Sequence, residues 1–164
     1  MMKIYTKQGD KGSTQLASGE FVSKDHRIIE GVGALDETNS FIGLLRNSMD
    51  TPLLKTIQNH LFILGSNLSA GKSIIDFPET NITLLETSID LIEEKITKLE
   101  NFILPSGSLI SSLCHIIRSV IRRSERFLIK SSLSEIEKIY INRLSDYFFM
   151  LARQYSDDEL WINE

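Results

Sequence analysis

Apolar residues recur in steps of three and four along most of this chain, from about residue 25 to about residue 156. Such spacing places them on one face of a helix, where they can be buried together. The pattern predicts five amphipathic helices: about 25–48, from Thr51-Pro52 to Gly71, from near residues 79–81 through Leu99, about 108–131, and about 133–156. Strand-like alternation is nearly absent, so the predicted fold is all-α, an antiparallel five-helix bundle rather than a doubly wound nucleotide-binding fold.

Capping residues mark where several of these helices begin. Asp25 is the predicted N-cap of the first helix. Thr51 is the predicted N-cap of the second, because Pro52 follows it and proline suits the first helical position. Either Ser106 or Ser108 is expected to cap the fourth helix, which begins after a loop containing proline and glycine.

Length and composition predict one domain in three parts. The chain has 164 residues, of which 41% are hydrophobic, enough for a single buried core. Residues 1–24 are polar and contain glycines, which predicts a flexible segment. Residues 25–156 form the helical bundle, and residues 157–164 form an acidic tail that is expected to fray.

Charge and cysteine content exclude several classes of function. The net charge of −4 argues against a general nucleic-acid binder, which needs a basic surface. Cys114 is the only cysteine, so no internal disulfide is possible, which fits a reducing cytoplasm. The first residues lack the apolar core of a signal peptide, and no apolar run approaches the roughly 20 residues of a membrane span. The expected location is cytoplasmic, with no membrane partner.

His60 and the loop of residues 102–107 each allow a structural and a functional interpretation. His60 has no second metal ligand three or four residues away, so a core or surface histidine is favoured over a metal ligand. The loop contains Phe102, Leu104, Pro105 and Gly107. It either packs under a neighbouring element or lines a site, and taken alone the packing interpretation is favoured.

Three arginines four residues apart mark the fourth predicted helix. Arg118, Arg122 and Arg126 share one helical face and form a cationic row about three turns long. One interpretation is a solvated charged face with Glu125 as a local partner. The other is a clamp for an anion, because guanidinium groups match phosphate oxygens bidentately.

The N-terminal segment offers groups that suit phosphate binding. Residues 6–14 combine glycines, lysines and hydroxyl side chains, although they do not form a Walker loop, since its spacing and its strand–loop–helix context are missing. Backbone amides freed by glycine, together with hydroxyls and lysines, can cradle phosphate groups. The segment alone is weak evidence for a nucleotide site.

Four segments together carry a more specific signal. Residues 4–12, 32–40, 118–126 and 140–147 resemble the PduO-type ATP:cob(I)alamin adenosyltransferases in order and in separation, over nearly the whole chain. The resemblance implies transfer of the 5′-deoxyadenosyl group of ATP to cob(I)alamin, with formation of adenosylcobalamin and release of triphosphate. It also implies a homotrimer of five-helix bundles with active sites at the subunit interfaces, and a requirement for Mg²⁺. Because cobalt is the nucleophile, the protein need not supply a catalytic serine, cysteine or histidine.

The resemblance assigns expected roles to particular residues. The expected ATP-binding positions are Thr6, Lys7, Gln8, Gly9, Thr14, Lys24, Arg122, Arg126 and Asn142. Arg122 is expected to grip the polyphosphate and Phe102 to lie beneath the corrin ring, where it helps remove the lower axial ligand; these two are the expected catalytic residues. Arg118 is expected to pair with Asp36 across the subunit interface.

The sequence departs from the family pattern at two positions and allows two rival functions. Ser106 stands after Pro105 where the family often has glycine, and Val32 stands directly before Gly33 where the family often has an aromatic residue. The rivals are a non-catalytic carrier of ATP or cobalamin and an ATP hydrolase. The sequence leaves open the Mg²⁺ ligands, the substrate affinities, the electron donor, and whether a cob(II)alamin reductase and an adenosylcobalamin-dependent enzyme are partners.

Overall fold

The computed structural model describes residue 5 and residues 7–161, and this part of the chain confirms the predicted bundle of five helices. They are α1 (Arg27–Arg46), α2 (Pro52–Ala70), α3 (Thr80–Glu93), α4 (Leu109–Leu128) and α5 (Glu135–Gln154). Helix α4 packs against both α1 and α5, while α2 packs on α1 and α3 packs on α5. The arginine-bearing helix therefore lies in the middle of the bundle. No helix within the described residues has the length and apolar character needed to cross a membrane.

The helix ends agree with the predicted caps in α2 and α4 and differ in α1 and α3. Thr51 caps α2 and Ser108 caps α4, each by accepting a backbone N–H with its side chain. The N-cap of α1 is His26, not Asp25, because its Nδ1 accepts the N–H of Ile28 at 3.3 Å. The predicted continuation of α3 through Leu99 is wrong, and Leu99 is 40% exposed.

The premature end of α3 has a physical cause in the segment that follows. The last turn of the helix is closed by bonds from the N–H groups of Glu94 and Lys95 to the carbonyls of Asp90 and Ile92. Beyond it, the carbonyl of Thr97 accepts a bond of 2.7 Å from the guanidinium of Arg153 in α5. A tertiary contact that sequence periodicity does not reveal thus takes the place of a further helical turn.

Two polar side chains in the core are paired across helices. His60 is buried and lies 2.9 Å from the hydroxyl of Tyr140, which confirms that it is a core histidine. At the start of α5, Ser134 and Glu137 form a capping box. The buried carboxylate of Glu137 also accepts a bond of 2.8 Å from the side-chain amide of Asn67, so it ties α5 to α2.

A short β-hairpin, which the sequence pattern did not predict, follows the N-terminal loop. Strands β1 (Ser13–Gln15) and β2 (Phe21–Ser23) pair antiparallel. Leu16 and Val22 are buried, and the N–H of Ala17 donates to the hydroxyl of Ser69 in α2 at 2.9 Å. The hairpin therefore fixes the end of the N-terminal segment against the bundle.

Candidate anion-binding site

Helix α4 presents the three arginines of the row, and none of them has a carboxylate partner within the described part of the chain. Arg122 and Arg126 are exposed, and the guanidinium of Arg126 donates to the carbonyl of Arg122 at 2.9 Å. Glu125, the partner expected from a solvated charged face, instead accepts a bond of 2.9 Å from the side-chain amide of Asn142 in α5. Among the described residues the row thus has no ion-pair partner, which favours the anion-clamp interpretation.

Arg118 differs from the other two arginines because it is half-buried. Its guanidinium carbon lies 6.0 Å from the centre of the Phe149 ring, and its Nε finds no hydrogen-bond partner among the residues described. Burial lowers the pKa of Arg118, and the neighbouring charge of Arg122 lowers it further. A buried donor without a partner is costly, so a group outside this single chain is the natural acceptor.

Two open clefts meet at the C-terminal half of α4. One, of about 500 Å³, is lined by Pro105 of the loop before α4 and by Arg123 and Arg126. The other, of about 620 Å³, is lined by the same two arginines and by Asp25 and Arg27 at the start of α1. Arg123 and Arg126 thus stand between the N-terminal side of the molecule and the loop that carries Phe102. Arg122 lies beside them on the outer surface and lines neither cleft.

The N-terminal loop brings two of the predicted residues, Gly9 and Lys24, close together. The Nζ of Lys24 lies so close to Gly9 that a Cβ at residue 9 would be 3.0 Å from it. The N–H of Lys24 donates to the carbonyl of Gly12 at 2.8 Å. Lys7 has a left-handed backbone with φ of 61°, an uncommon conformation for a residue other than glycine.

The remaining residues of the predicted ATP segment occupy less enclosed positions. Gln8 is exposed in the loop, and Thr14 is half-buried in β1, where it pairs with Val22. Thr6 lies outside the described residues. Asn142 projects from α5 toward Glu125 of α4, next to the arginine row.

Phe102 stands apart from the core. Its side chain is 78% exposed, so the packing interpretation does not hold for this residue. The backbone of the loop is nevertheless well bonded, because the N–H of Leu104 donates to the carbonyl of Glu159 and the N–H of Trp161 donates to the carbonyl of Phe102. The phenyl ring is therefore displayed by a fixed backbone.

Asp36 and Arg118 are not brought together within the single chain. Asp36 is exposed on α1 and makes no ion pair within the described residues. It lines an apolar groove of about 560 Å³ between α1 and α2, together with the exposed side chain of Phe62. The structure of one chain leaves their proposed pairing between subunits untested.

Sequence reasoning missed two arginines that shape the site. Arg27 donates to the carbonyls of Arg126 and Phe127 at 2.8 and 3.3 Å, so it joins the start of α1 to the end of α4. Arg123 forms an ion pair with Glu37 of α1. A general rule could have pointed to such a contact: the last carbonyls of a helix lack partners within the helix and attract cations.

The fold and the site define a helical bundle whose cationic row has no carboxylate partner among the described residues, and the comparison with known proteins assigns its family. Residues 4–155 match the family described as Cobalamin adenosyltransferase, and this chain belongs to that family. The resemblance inferred from sequence motifs is confirmed.

Relatives of known name support this assignment over most of their length. The corrinoid adenosyltransferase of Bacillus subtilis (strain 168) is 42% identical, with 93% of this chain and 86% of that protein aligned. The cobalamin adenosyltransferase of Cupriavidus metallidurans is 37% identical, with 100% of this chain and 96% of that protein aligned.

Solved structures show the same fold. A phenylalanine-to-histidine variant of the PduO-type ATP:corrinoid adenosyltransferase from Lactobacillus reuteri, complexed with cobalamin and ATP, aligns with a TM-score of 0.89 at 31% identity. That alignment covers 98% of this chain and 97% of the other. An arginine-to-lysine variant of the L. reuteri enzyme, complexed with ATP, gives a TM-score of 0.87 at 31% identity, and the alignment covers 97% of this chain and all of that one.

Proposed function

We propose that this protein transfers the 5′-deoxyadenosyl group of ATP to cob(I)alamin, forming adenosylcobalamin and releasing triphosphate. The observation that carries this proposal is the arginine row of α4, which has no carboxylate partner among the described residues and whose last member, Arg126, lines two clefts. One cleft is also lined by Asp25 and Arg27, which follow the N-terminal segment, and the other by Pro105 of the loop that displays Phe102. A polyanion and a corrin ring can thus approach the same end of α4 from different sides.

The reaction determines what the cationic residues must do. An electron pair on Co(I) forms the bond to C5′ of ATP, while the bond between C5′ and its phosphate oxygen breaks and the triphosphate leaves with that electron pair. Negative charge therefore gathers on the leaving group in the transition state. Arg122 and Arg126, as charge-assisted donors, would stabilise that charge, and Lys24 would add a third cation from the N-terminal side.

The N-terminal loop would bind the nucleotide with its backbone and its small side chains. The proposed contacts in this segment come from Thr6, Lys7, Gln8, Gly9 and Thr14. The closeness of Lys24 to Gly9 supports this arrangement, since it places an ammonium group directly over the loop backbone. Asn142 is the proposed contact from α5.

Phe102 is proposed to lie beneath the corrin. An exposed phenyl ring on a fixed backbone can displace water and the lower axial ligand of cob(II)alamin. A cob(II)alamin without that ligand is more easily reduced to the Co(I) nucleophile, so Phe102 would act before the transfer step rather than in it.

The active form is proposed to be a homotrimer with its active sites between subunits. Arg118 has a buried Nε without a partner among the described residues, and Asp36 is exposed without an ion-pair partner in that same part of the chain. An ion pair between Arg118 of one subunit and Asp36 of the next would satisfy both groups. A ligand bound between subunits could also reach Arg122, which faces outward in the single chain.

Mg²⁺ is proposed to accompany ATP, and its ligands in this chain stay unassigned. Mg²⁺ is usually held by substrate phosphates with one or two carboxylates rather than by an all-protein cage. No three histidine, cysteine or acidic side chains come together as a metal site within the described residues. The cytoplasmic location also stays a prediction.

A spectroscopic experiment tests the proposed transfer. The protein is mixed with ATP, Mg²⁺ and chemically reduced cobalamin, and the visible spectrum is followed in the dark. Conversion to a light-sensitive alkylcobalamin supports transfer. Binding of both ligands without spectral conversion would instead indicate a carrier.

A further inference from the structure

The C-terminal segment is bonded along the loop that carries Phe102. Ile103 and Leu160 form an antiparallel bridge. The N–H of Leu104 donates to the carbonyl of Glu159 at 2.7 Å, and the N–H of Trp161 donates to the carbonyl of Phe102 at 2.8 Å. The backbone on both sides of Ile103 is thereby held by residues 159–161.

A second contact joins the same two segments through side chains. The hydroxyl of Ser106 donates to the carboxylate of Glu159, and the carbonyl of Ser106 accepts from the hydroxyl of Ser111 in α4. Gly107 has a φ of 103°, and a Cβ at this position would overlap the side chain of Ser156. The loop is thus fitted between the start of α4 and the segment that follows α5.

Arg153 anchors this segment to the bundle. Its side chain is almost fully buried, and its Nε and Nη2 atoms donate to both carboxylate oxygens of Asp158 at 2.7 to 3.1 Å. The Nη2 atom also donates to the carbonyl of Thr97 at 2.7 Å. A buried bidentate pair of this kind has one well-defined geometry, so Asp158 fixes where residues 159–161 begin.

We propose that Arg153 is a positioning residue for Phe102: it holds Asp158, and the segment that follows Asp158 holds the backbone of the Phe102 loop. The inference rests on the proposed function, because it gives the C-terminal segment a part in preparing cob(II)alamin for reduction. Neither Arg153 nor Asp158 needs to touch a substrate. Their effect is transmitted through the bonds from Glu159 and Trp161 to residues 102–104.

The variant that tests this proposal most cleanly is Asp158→Asn. It keeps the size of the side chain and removes the charge that Arg153 binds, and Asp158 is more accessible than Arg153. The control is Asp157→Asn, which makes the same chemical change at an exposed neighbour without an ion pair among the described residues. Ser106→Ala is a second test, because it removes the bond to Glu159 from the opposite side without touching the ion pair.

The first readout reports directly on the segment. Trp161 is the only tryptophan in the chain and its side chain is 45% exposed, so a rise in acrylamide quenching of its fluorescence reports the further exposure that follows when residues 159–161 undock. We expect Asp158→Asn to lose protection from quenching and Asp157→Asn to keep it. Equal quenching in the unaltered protein, Asp158→Asn and Asp157→Asn would overturn the proposal.

The second readout separates reduction from transfer. Adenosylation is measured once from cob(II)alamin with a reduced flavin as electron donor, and once from preformed cob(I)alamin. We expect Asp158→Asn to slow the first reaction by about tenfold or more and the second by less than about twofold, because a displaced Phe102 affects only the preparation of the nucleophile. Ser106→Ala should also slow the reaction from cob(II)alamin more than the reaction from cob(I)alamin, with a smaller difference between the two.

A double variant shows whether the two sites act together. If Asp158 acts through Phe102, Asp158→Asn should add little to the loss already produced by Phe102→Ala. Full additivity of the two losses would overturn the inference, as would equal losses from cob(II)alamin and cob(I)alamin in Asp158→Asn. If the unaltered protein fails to turn over cob(I)alamin, the proposed function fails together with this inference. If the unaltered protein turns over normally and Asp158→Asn leaves the ratio of the rates from cob(II)alamin and cob(I)alamin unchanged, the inference alone is overturned.

Discussion

The end of the Lys24 side chain lies close to Gly9, at the edge of the space that a side chain at residue 9 would enter. A Cβ there would be 3.0 Å from Nζ and 3.1 Å from Cε of Lys24. The absence of a side chain at Gly9 lets the cation rest on the loop backbone. Lys24 directly follows the β-hairpin, and the N–H of Lys24 donates to the carbonyl of Gly12, which helps to keep Lys24 in this position.

We predict that Gly9→Ala weakens ATP binding, because the added methyl group displaces the Lys24 ammonium from the loop. Loss of one charge-assisted contact corresponds to about 1.5–3 kcal/mol, or at least about tenfold in Kd. Titration calorimetry measures this change. Gly43→Ala is the control, since a Cβ there would meet only Gln58 at an ordinary 3.5 Å. An unchanged Kd in Gly9→Ala would separate Lys24 from the nucleotide site.

We predict that Arg122→Ala loses most of its activity and keeps its fold, because Arg122 is exposed and its side chain forms no ion pair among the described residues. The loss in kcat/KM should correspond to about 2–4 kcal/mol of transition-state stabilisation, by analogy with other anion donors. The kcat/KM of Arg122→Lys should lie between those of the unaltered protein and Arg122→Ala, since lysine keeps the charge and loses the bidentate fork.

Steady-state kinetics on these variants can be compared with Lys130→Ala, which removes an exposed cation just beyond α4. That control should keep near-normal kcat/KM. If Arg122→Ala also does so, Arg122 is not part of the clamp.

The sequence predicted the bundle well because its signal is local. Thr51, Gly71 and Ser108 identify helix ends through contacts within one turn, and the structure places them as expected. The end of α3 could not be found in this way, since it depends on the bond from Arg153 to Thr97, 56 residues apart in the chain. The hairpin was missed because strands of three residues give too little alternation to detect.

In the candidate site, too, the features set by local sequence could be predicted, whereas those set by tertiary packing could not. The row of Arg118, Arg122 and Arg126 follows from helical spacing alone. Three features depend on how separate elements pack. They are the buried Nε of Arg118, which has no partner among the described residues, the closeness of Lys24 to Gly9, and the bonds of Arg27 to the end of α4. Whether Asp36 meets Arg118 depends on a second chain, so neither the sequence pattern nor one subunit decides it.

We predict that Arg118→Ala and Asp36→Asn weaken the proposed trimer. Removing either member of an intersubunit pair leaves its partner uncompensated at the interface, so dissociation should occur at higher protein concentration than in the unaltered chain. Analytical ultracentrifugation over a dilution series measures this, with activity recorded at the same concentrations. A monomeric unaltered chain, or variants whose mass and activity do not respond to dilution, would contradict the proposed pair.

We predict that acidification lowers the free energy of unfolding through two buried histidines. Burial lowers the pKa of His60; burial, assisted by the charge of Arg118 and opposed by that of Asp158, lowers the pKa of His115. In the unfolded chain both titrate near about 6.5, so below that pH the unfolded state binds protons that the folded state does not. The contribution of the two histidines to the free energy of unfolding should therefore be fully present above about pH 7. As the pH drops toward about 5, the free energy of unfolding should fall by up to about 1.4 kcal/mol per pH unit for each histidine.

Urea denaturation at several pH values measures this slope. His60→Gln, which can still bond the Tyr140 hydroxyl, should be less stable at neutral pH and should show a shallower dependence on pH between about 7 and about 5. An identical slope in His60→Gln and the unaltered protein would show that His60 does not titrate in this window.

The proposed reaction of this chain displaces triphosphate from the C5′ carbon of ATP with cob(I)alamin. The most direct measurement is the phosphate product formed with and without cob(I)alamin, together with the amount of light-sensitive corrinoid. We predict one triphosphate for each adenosylcobalamin and no phosphate product when cob(I)alamin is omitted. Orthophosphate release that is independent of cob(I)alamin, or corrinoid binding without triphosphate, would contradict the account.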